Sequence, residues 1–123
     1  MQKNQTFWQR IKIAFLGIKT AFAQERNFRI QVFIGLMVML LMLVLGVSTL
    51  EKSVLCLTIL VVLSLELMNS QIEKFLDLIE PEHHPRVKII KDFSAGAVLI
   101  SVIGSVIVGA LIFLPYLMYT INR

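Results

Sequence analysis

Three long apolar stretches set the strongest limit on how this chain can fold. They cover residues 30–47, 53–65 and 95–119, and the second continues into a mixed stretch that ends before Pro81. A helix needs about 20 residues to cross the hydrocarbon core of a bilayer, so three crossings use about half of the chain. With 57% hydrophobic and only 16% charged residues, the chain is predicted to be an all-α integral membrane protein.

The predicted organisation is a single membrane-embedded domain over residues 1–123. An amphipathic surface helix over residues 4–26 is followed by three transmembrane helices over 29–48, 52–73 and 94–119. Because these four helices account for most of the chain, the sequence leaves no room for a separate soluble domain.

The N-terminal segment has the pattern of an amphipathic helix. Asn4, Gln5 and Thr6 offer a helix start. One apolar stripe follows at helical spacing, and it consists of Phe7, Ile11, Phe15, Ile18 and Phe22. Basic residues occupy an adjacent face, namely Lys12, Lys19 and Arg26. The helix is predicted to lie on the inner membrane surface, although packing on a partner subunit would use the same stripe.

The distribution of lysine and arginine predicts the topology. Six precede the first apolar stretch: Lys3, Arg10, Lys12, Lys19, Arg26 and Arg29. Four lie between the second and third stretches: Lys74, Arg86, Lys88 and Lys91. The opposite side has only Lys52 and Arg123. The positive-inside rule therefore places the N-terminus and residues 74–92 in the cytoplasm, with the C-terminus on the outer side of the membrane.

The second transmembrane helix has one polar face. Glu66, Asn69, Glu73 and Asp77 fall within an arc of about 80° around the helix axis. Glu66 lies about 20 Å along the axis from Ser53, inside the cytoplasmic half of the bilayer core. A carboxylate at such a depth costs about 2.5–3.5 kcal/mol, so it should face protein, water or an ion. A protonated Glu66 in an interhelical hydrogen bond is the purely structural alternative.

Acids near a basic membrane surface suit the chemistry of divalent metals and phosphates. Glu66 could accept a proton from a membrane-dissolved alcohol, while Mg²⁺ held by shallower carboxylates neutralises the transferred phosphoryl group. A cation pathway would also place acids on one face, so a small ion-conducting or transporter subunit lined by Glu66 and Asn69 is an alternative. A non-catalytic assembly factor is a third hypothesis. It would use a small-residue stripe in the third helix: Ala97, Ser101, Ser105 and Gly109.

Two segments carry motifs that resemble a known family. Residues 66–100 read ELMNSQIEKFLDLIEPEHHPRVKIIKDFSAGAVLI, and residues 17–30 read GIKTAFAQERNFRI. They resemble the signature region and the N-terminal glutamate region of the prokaryotic diacylglycerol kinase and undecaprenol kinase family. The resemblance implies a homotrimeric membrane enzyme with sites between subunits, which uses MgATP to phosphorylate a membrane lipid alcohol. Pro85 and Gly96 resemble the undecaprenol-type branch.

The same resemblance implies roles for individual residues. Glu66 is implied as the general base for the lipid hydroxyl, with Asn69 supporting the site beside it. Glu25 and Glu73 match the carboxylates that hold Mg²⁺. The other residues implied at the nucleotide are the pair Lys91 and Asp92, the loop of Glu82, His83 and His84, Asp77 in a supporting role, and Arg10 as a phosphate ligand.

Overall fold

The structure is a computed structural model that describes residues 6–122 and is built from four α-helices. These are α1 (Phe7–Gln24), α2 (Arg26–Val44), α3 (Thr49–Ile79) and α4 (Pro85–Ile121). By length and composition, α2, α3 and α4 can each cross a membrane. This confirms the predicted all-α fold, with three transmembrane helices and one N-terminal helix.

The first two helices meet in a tight corner at Glu25. This residue ends α1 and is also the N-cap of α2. The guanidinium of Arg29 reaches back across the corner and donates to the carbonyl oxygens of Phe22 and Ala23, at 3.1 and 2.8 Å. Because the last carbonyls of a helix have no intrahelical partner, these bonds close the end of α1. The predicted helix start at Asn4 and Gln5 lies outside the described residues.

A capped turn connects α2 to α3. Gly46 has a φ of 62°, a left-handed conformation that glycine adopts without steric cost. Ser48 then caps α3: its hydroxyl accepts from the Glu51 amide at 3.3 Å, and Glu51 Oε2 accepts from the Ser48 amide at 2.8 Å. The hydroxyl of Tyr116 donates to the same Oε2 at 2.6 Å, so the end of α4 is tied to this turn.

The helix α3 is the centre of the bundle. It packs against both α2 and α4, whereas those two helices contact each other little. The apolar core lies at the end of the bundle that holds the α2–α3 turn, and it is formed by Met42, Val47, Leu55 and Phe113. We call this end the turn end, and we call the opposite end, which carries residues 80–84 between α3 and α4, the loop end.

Two helices are longer than a bilayer requires. The 31 residues of α3 and the 37 of α4 correspond to about 46 and 55 Å, against a hydrocarbon core of about 30 Å. Their surplus length extends both helices beyond the hydrocarbon core. The predicted spans 52–73 and 94–119 lie within α3 and α4, while 29–48 also includes the α2–α3 turn. The membrane boundaries themselves stay predictions.

At Gly35, a side chain of α3 packs directly against the backbone of α2. This residue is buried, and a Cβ added to it would lie 3.0 Å from Cγ2 of Ile59. We expect Gly35→Leu to separate the two helices and to destabilise the protein by about 1–3 kcal/mol, because overpacking forces neighbouring groups apart. Thermal unfolding in detergent, followed by circular dichroism, measures this change.

The matched control for this prediction is Gly17→Leu on α1. No atom lies within 4 Å of a Cβ added to Gly17, so the same substitution has room there. Equal losses of stability in both variants would contradict the close α2–α3 packing at Gly35.

Candidate functional site

The deeper part of the polar face of α3, formed by Glu66 and Asn69, is turned into the protein, whereas Glu73 and Asp77 are exposed. Glu66 is 4% exposed and Asn69 is 9% exposed, and Ser70 beside them is also buried. The helix therefore shields the acid that sequence reasoning placed at membrane depth, in agreement with the cost of exposing a carboxylate to lipid. Several large apolar side chains on the same helix, such as Leu57, Leu60 and Phe75, are exposed instead.

The partner of Glu66 comes from a different helix. The amide Nε2 of Gln31, on α2, donates to Oε2 of Glu66 at 3.2 Å. Gln31 is the strongly polar residue of the first apolar stretch, and the sequence analysis gave it no function. The available signal was energetic: an amide within an apolar helix needs a partner, and Glu66 was another polar group at membrane depth.

Two buried acceptor oxygens in this region have no hydrogen-bond partner among residues 6–122. They are Oε1 of Gln31 and Oδ1 of Asn69. Buried polar atoms are nearly always satisfied in native proteins, so an unpaired atom calls for an explanation. Both atoms are acceptors, and the group that would satisfy them must therefore be a hydrogen-bond donor.

Glu25 and Glu73 belong to the same acidic region as Glu66. Glu25 lies at the corner between α1 and α2, and Glu73 lies two turns along α3 from Glu66. The charges of both carboxylates act electrostatically on Glu66. The fold thus brings together three acids that are separated by up to 48 positions in the sequence.

Lys74 is a second residue that sequence reasoning missed. Its Nζ forms an ion pair with Oε1 of Glu25 at 2.7 Å and donates to Oε1 of Gln24 at 2.9 Å. These contacts hold α3 against the α1–α2 corner. No local signal in the sequence could have revealed them, because they depend on how the corner is folded.

The acids near Glu66 suit Mg²⁺ in kind and number. Within residues 6–122, no three acidic, histidine or cysteine side chains converge as a ready-made metal cage. Mg²⁺ does not require one, because it usually keeps several waters and binds one or two carboxylates together with substrate phosphates. Glu25 already pairs with the Lys74 cation. The carboxylates of Glu25 and Glu73 therefore fit a site that nucleotide phosphates complete.

A second group of predicted residues surrounds a cavity of about 490 Å³ at the loop end. Five predicted residues line it: Asp77, Glu82, His83, His84 and Lys91. Lys91 also forms an ion pair with Asp77, which joins α4 to α3 at the cavity wall. Lys88 lines the cavity as well, so two lysine side chains contribute to its wall.

His84 has a structural role in addition to its place at the cavity. Its Nδ1 accepts from the backbone amide of Arg86 at 3.2 Å, so it caps the first turn of α4. Pro85 occupies the first turn, where its missing N–H costs nothing. This cap fixes the direction in which the loop enters α4 and therefore the shape of the cavity.

Two predicted residues lie outside these groups. Asp92 pairs with Lys88 at 3.2 Å, one turn back on the same helix, and does not line the cavity. Arg10 is exposed on α1, and no side-chain hydrogen bond or ion pair joins it to another described residue. The other predicted residues form the acidic region around Glu66 and the loop-end cavity. Glu66 and Asp77 are about 16 Å apart along α3.

Comparisons with known proteins identify relatives of the chain. The family described as "Prokaryotic diacylglycerol kinase" matches residues 12–113. A diacylglycerol kinase of Synechocystis sp. is 41% identical over 108 residues, which cover 87% of this chain and 62% of that protein. The chain thus spans less than two thirds of this relative's length.

Other relatives are closer in length to this chain. An undecaprenol kinase of Bacillus subtilis is 38% identical over 111 residues, which cover 90% of each protein. A diacylglycerol kinase of Escherichia coli strain K12 is 31% identical over 111 residues, which cover 87% of this chain and 91% of the relative. These similarities give no support to the ion-conducting or transporter hypothesis.

Proposed function

Because the chain belongs to the prokaryotic diacylglycerol kinase family, we propose that it is a lipid kinase that transfers phosphate from ATP to the hydroxyl of a membrane lipid alcohol. The structural observation that carries this proposal is the buried Glu66 carboxylate on a membrane-crossing helix, with Glu25 and Glu73 in the same region. The names of the relatives suggest two substrates, diacylglycerol and undecaprenol.

Glu66 acts as the general base. Its ionised carboxylate accepts the proton of the lipid hydroxyl while the hydroxyl oxygen bonds to the γ-phosphorus of ATP. The bond between the γ-phosphorus and the bridging oxygen breaks, and ADP leaves with that oxygen. The position of Glu66 within the membrane-crossing helix suits an acceptor group that stays in the lipid phase.

Glu25 and Glu73 would hold Mg²⁺ at the shallower edge of the acidic region. When bound, the ion supplies positive charge that neutralises the phosphate oxygens. Lys74 is the counter-charge of Glu25 in the structure and lies next to Glu73 in the chain. Its ammonium group can move to the nucleotide phosphates when the Glu25 carboxylate takes a metal as its partner.

The loop-end cavity binds the nucleotide. Its two lysines, Lys88 and Lys91, supply charge for phosphate, and its two histidines offer flat rings and hydrogen-bonding nitrogens for the adenosine. The ion pair with Asp77 holds Lys91 at the cavity wall. Since the cavity and Glu66 are about 16 Å apart along α3, the phosphates of the bound nucleotide point along α3 towards Glu73. Roles for Asp92 and Arg10 stay predictions.

The basic residues favour one orientation in the bacterial inner membrane. Ten of the twelve lysines and arginines lie before the first predicted span or between the second and third spans. The N-terminus and the loop end are therefore cytoplasmic, and the C-terminus is outside. This orientation gives the loop-end cavity direct access to cytoplasmic ATP.

We also propose a homotrimer with sites completed between subunits. Glu73 is exposed in the single chain although it continues the polar face to the edge of the predicted span. A partner subunit would cover it and exclude lipid. The hydroxyls of Ser101 and Ser105 donate to carbonyls of their own helix, both at 2.7 Å, so the small-residue stripe of α4 carries no unpaired donor into such a contact.

Gly109 provides a test of this assembly. The nearest atom to a Cβ added there is Cδ2 of Phe113 at 4.0 Å, which is ordinary contact, so a larger residue strains the single chain little. We expect Gly109→Leu to weaken subunit association and to lower activity several-fold, because small residues allow helices to approach closely. Light scattering in detergent measures the assembly, and Val106→Leu on the exposed side of α4 is the control. An unchanged trimer would contradict the stripe as an interface.

The lipid-kinase proposal is tested with purified protein in mixed micelles. The assay supplies radiolabelled ATP and Mg²⁺ with diacylglycerol or undecaprenol in separate reactions. We expect one labelled lipid product, phosphatidic acid or undecaprenyl phosphate, and its identity assigns the substrate. The absence of a labelled lipid in both reactions would overturn the proposal.

A further inference from the structure

Gln31 is an unusual residue for its position. It lies on α2, a helix with the length and composition of a membrane span, and it is only partly accessible. Moving an amide group from water into an apolar environment costs free energy unless its hydrogen bonds are replaced. Gln31 replaces one of them, through its Nε2 to Glu66, and leaves its Oε1 buried and unpaired. If Gln31 served only to join α2 and α3, both polar atoms of its amide would be expected to have hydrogen-bond partners.

The hydrogen bond distinguishes the two oxygens of the Glu66 carboxylate. Oε2 receives the amide N–H of Gln31 at 3.2 Å. Oε1 makes no hydrogen bond with a described residue and is therefore the oxygen that can accept a further proton. A hydrogen bond from an amide also fixes the rotation of the carboxylate, and therefore the direction in which its Oε1 faces.

We propose that Gln31 is a positioning residue of the phosphoryl-transfer site, which holds Glu66 through Oε2 and leaves Oε1 to take the proton of the lipid hydroxyl. This inference rests on the proposed lipid-kinase function. Gln31 acts through Glu66 and need not touch the reacting phosphorus. The charged groups that act on Glu66 in the described structure are Glu25 and Glu73, both of which repel its negative charge. Gln31 supplies the compensating contact.

The unpaired acceptor oxygens also influence which chemical groups the site can bind. Oε1 of Gln31 and Oδ1 of Asn69 both need a donor, and the neighbouring Glu66 accepts as well. An alcohol brings an O–H donor into this region. The phosphorylated product instead brings negative charge and mainly acceptor oxygens, which these groups repel.

The test measures turnover of Gln31→Met, which has a similar length and no donor. We expect kcat to fall about 10- to 100-fold, the effect of losing a hydrogen bond to a charged group, with KM for MgATP within about twofold of wild type. Ile34→Met is the matched control. Gln31 and Ile34 both line a cavity of about 110 Å³ between α2, α3 and α4, and Ile34 lies one turn further along α2. It should keep wild-type kcat.

A double mutant separates positioning from a structural role. If Gln31 acts through Glu66, adding Gln31→Met to Glu66→Gln should cause no further loss of residual turnover. Losses that multiply would overturn the inference, as would a Gln31→Met enzyme with wild-type kcat. Gln31→Asn keeps the amide but is one methylene too short. Gln31→Asn should also lower kcat, and it replaces Gln31→Met in the test if Gln31→Met fails to fold.

The outcome for wild-type protein separates this inference from the function on which it rests. A wild-type enzyme that phosphorylates neither lipid overturns the proposed function, and the inference with it. If the wild-type enzyme turns over and a folded Gln31→Asn enzyme has the same kcat, only the proposed role of Gln31 is overturned. Size-exclusion chromatography in detergent establishes that each variant is folded and assembled.

Discussion

Glu66→Gln is expected to lower lipid-kinase turnover by about 10²- to 10⁴-fold while the affinity for MgATP stays nearly unchanged. The amide keeps the shape of the side chain but cannot accept the proton of the substrate. The loop-end cavity, where we place the nucleotide, begins at Asp77 and does not include Glu66. Initial rates in mixed micelles measure turnover, and equilibrium binding of a fluorescent nucleotide measures affinity.

The control for this variant is Glu51→Gln. It makes the same change on the same helix, but at the turn end, where the amide oxygen can still accept from Ser48 and Tyr116. It should leave turnover near the wild-type value. A Glu66→Gln enzyme that keeps most of its turnover would rule out Glu66 as the base.

The second large effect is expected from the two shallower carboxylates. Glu25→Ala and Glu73→Ala should each raise the Mg²⁺ concentration needed for half-maximal rate by at least about tenfold. The double variant should be little worse than the worse single variant, because groups that share one ion do not contribute independently. Turnover is measured across a Mg²⁺ titration, and Mn²⁺ binding in the presence of nucleotide, followed by electron paramagnetic resonance, gives a readout independent of activity.

Glu51→Gln again serves as the control, since it removes one acidic charge at the opposite end of α3 without touching this region. Losses in the two single variants that multiply in the double variant, with an unchanged dependence on Mg²⁺, would count against a shared ion. Unchanged Mn²⁺ binding in both single variants would also count against a shared ion.

The periodicity of α3 predicted the polar face but could not identify its partner. A period of 3.6 residues determines which side chains share one face of a helix, and Glu66 and Asn69 are indeed buried together. The rotation of α2 against α3 is set by packing, for example by the close approach at Gly35. The hydrogen bond from Gln31 to Glu66 could therefore not be predicted from the periodicity of α3, because it depends on how α2 and α3 pack.

The loop end illustrates a related limit. Asp77 and Lys91 were both implied as site residues, and they pair because α3 and α4 are joined by a short connection. The motif also coupled Lys91 with Asp92, yet neighbours on a helix point in directions about 100° apart. Asp92 accordingly pairs with Lys88, one turn away. Adjacency in a motif does not imply a shared contact.

The position of the apolar core implies a gradient of local stability along the bundle. At the turn end, Leu55 and Phe113 are buried with their neighbours, and Tyr116 ties α4 to Glu51. At the loop end, α3 is joined to α4 and to the α1–α2 corner by half-exposed ion pairs, such as that between Lys74 and Glu25. Segments with few buried apolar contacts open at lower free energy than the whole fold. We therefore expect the helices to part more readily at the loop end than at the turn end, where their apolar contacts hold them together.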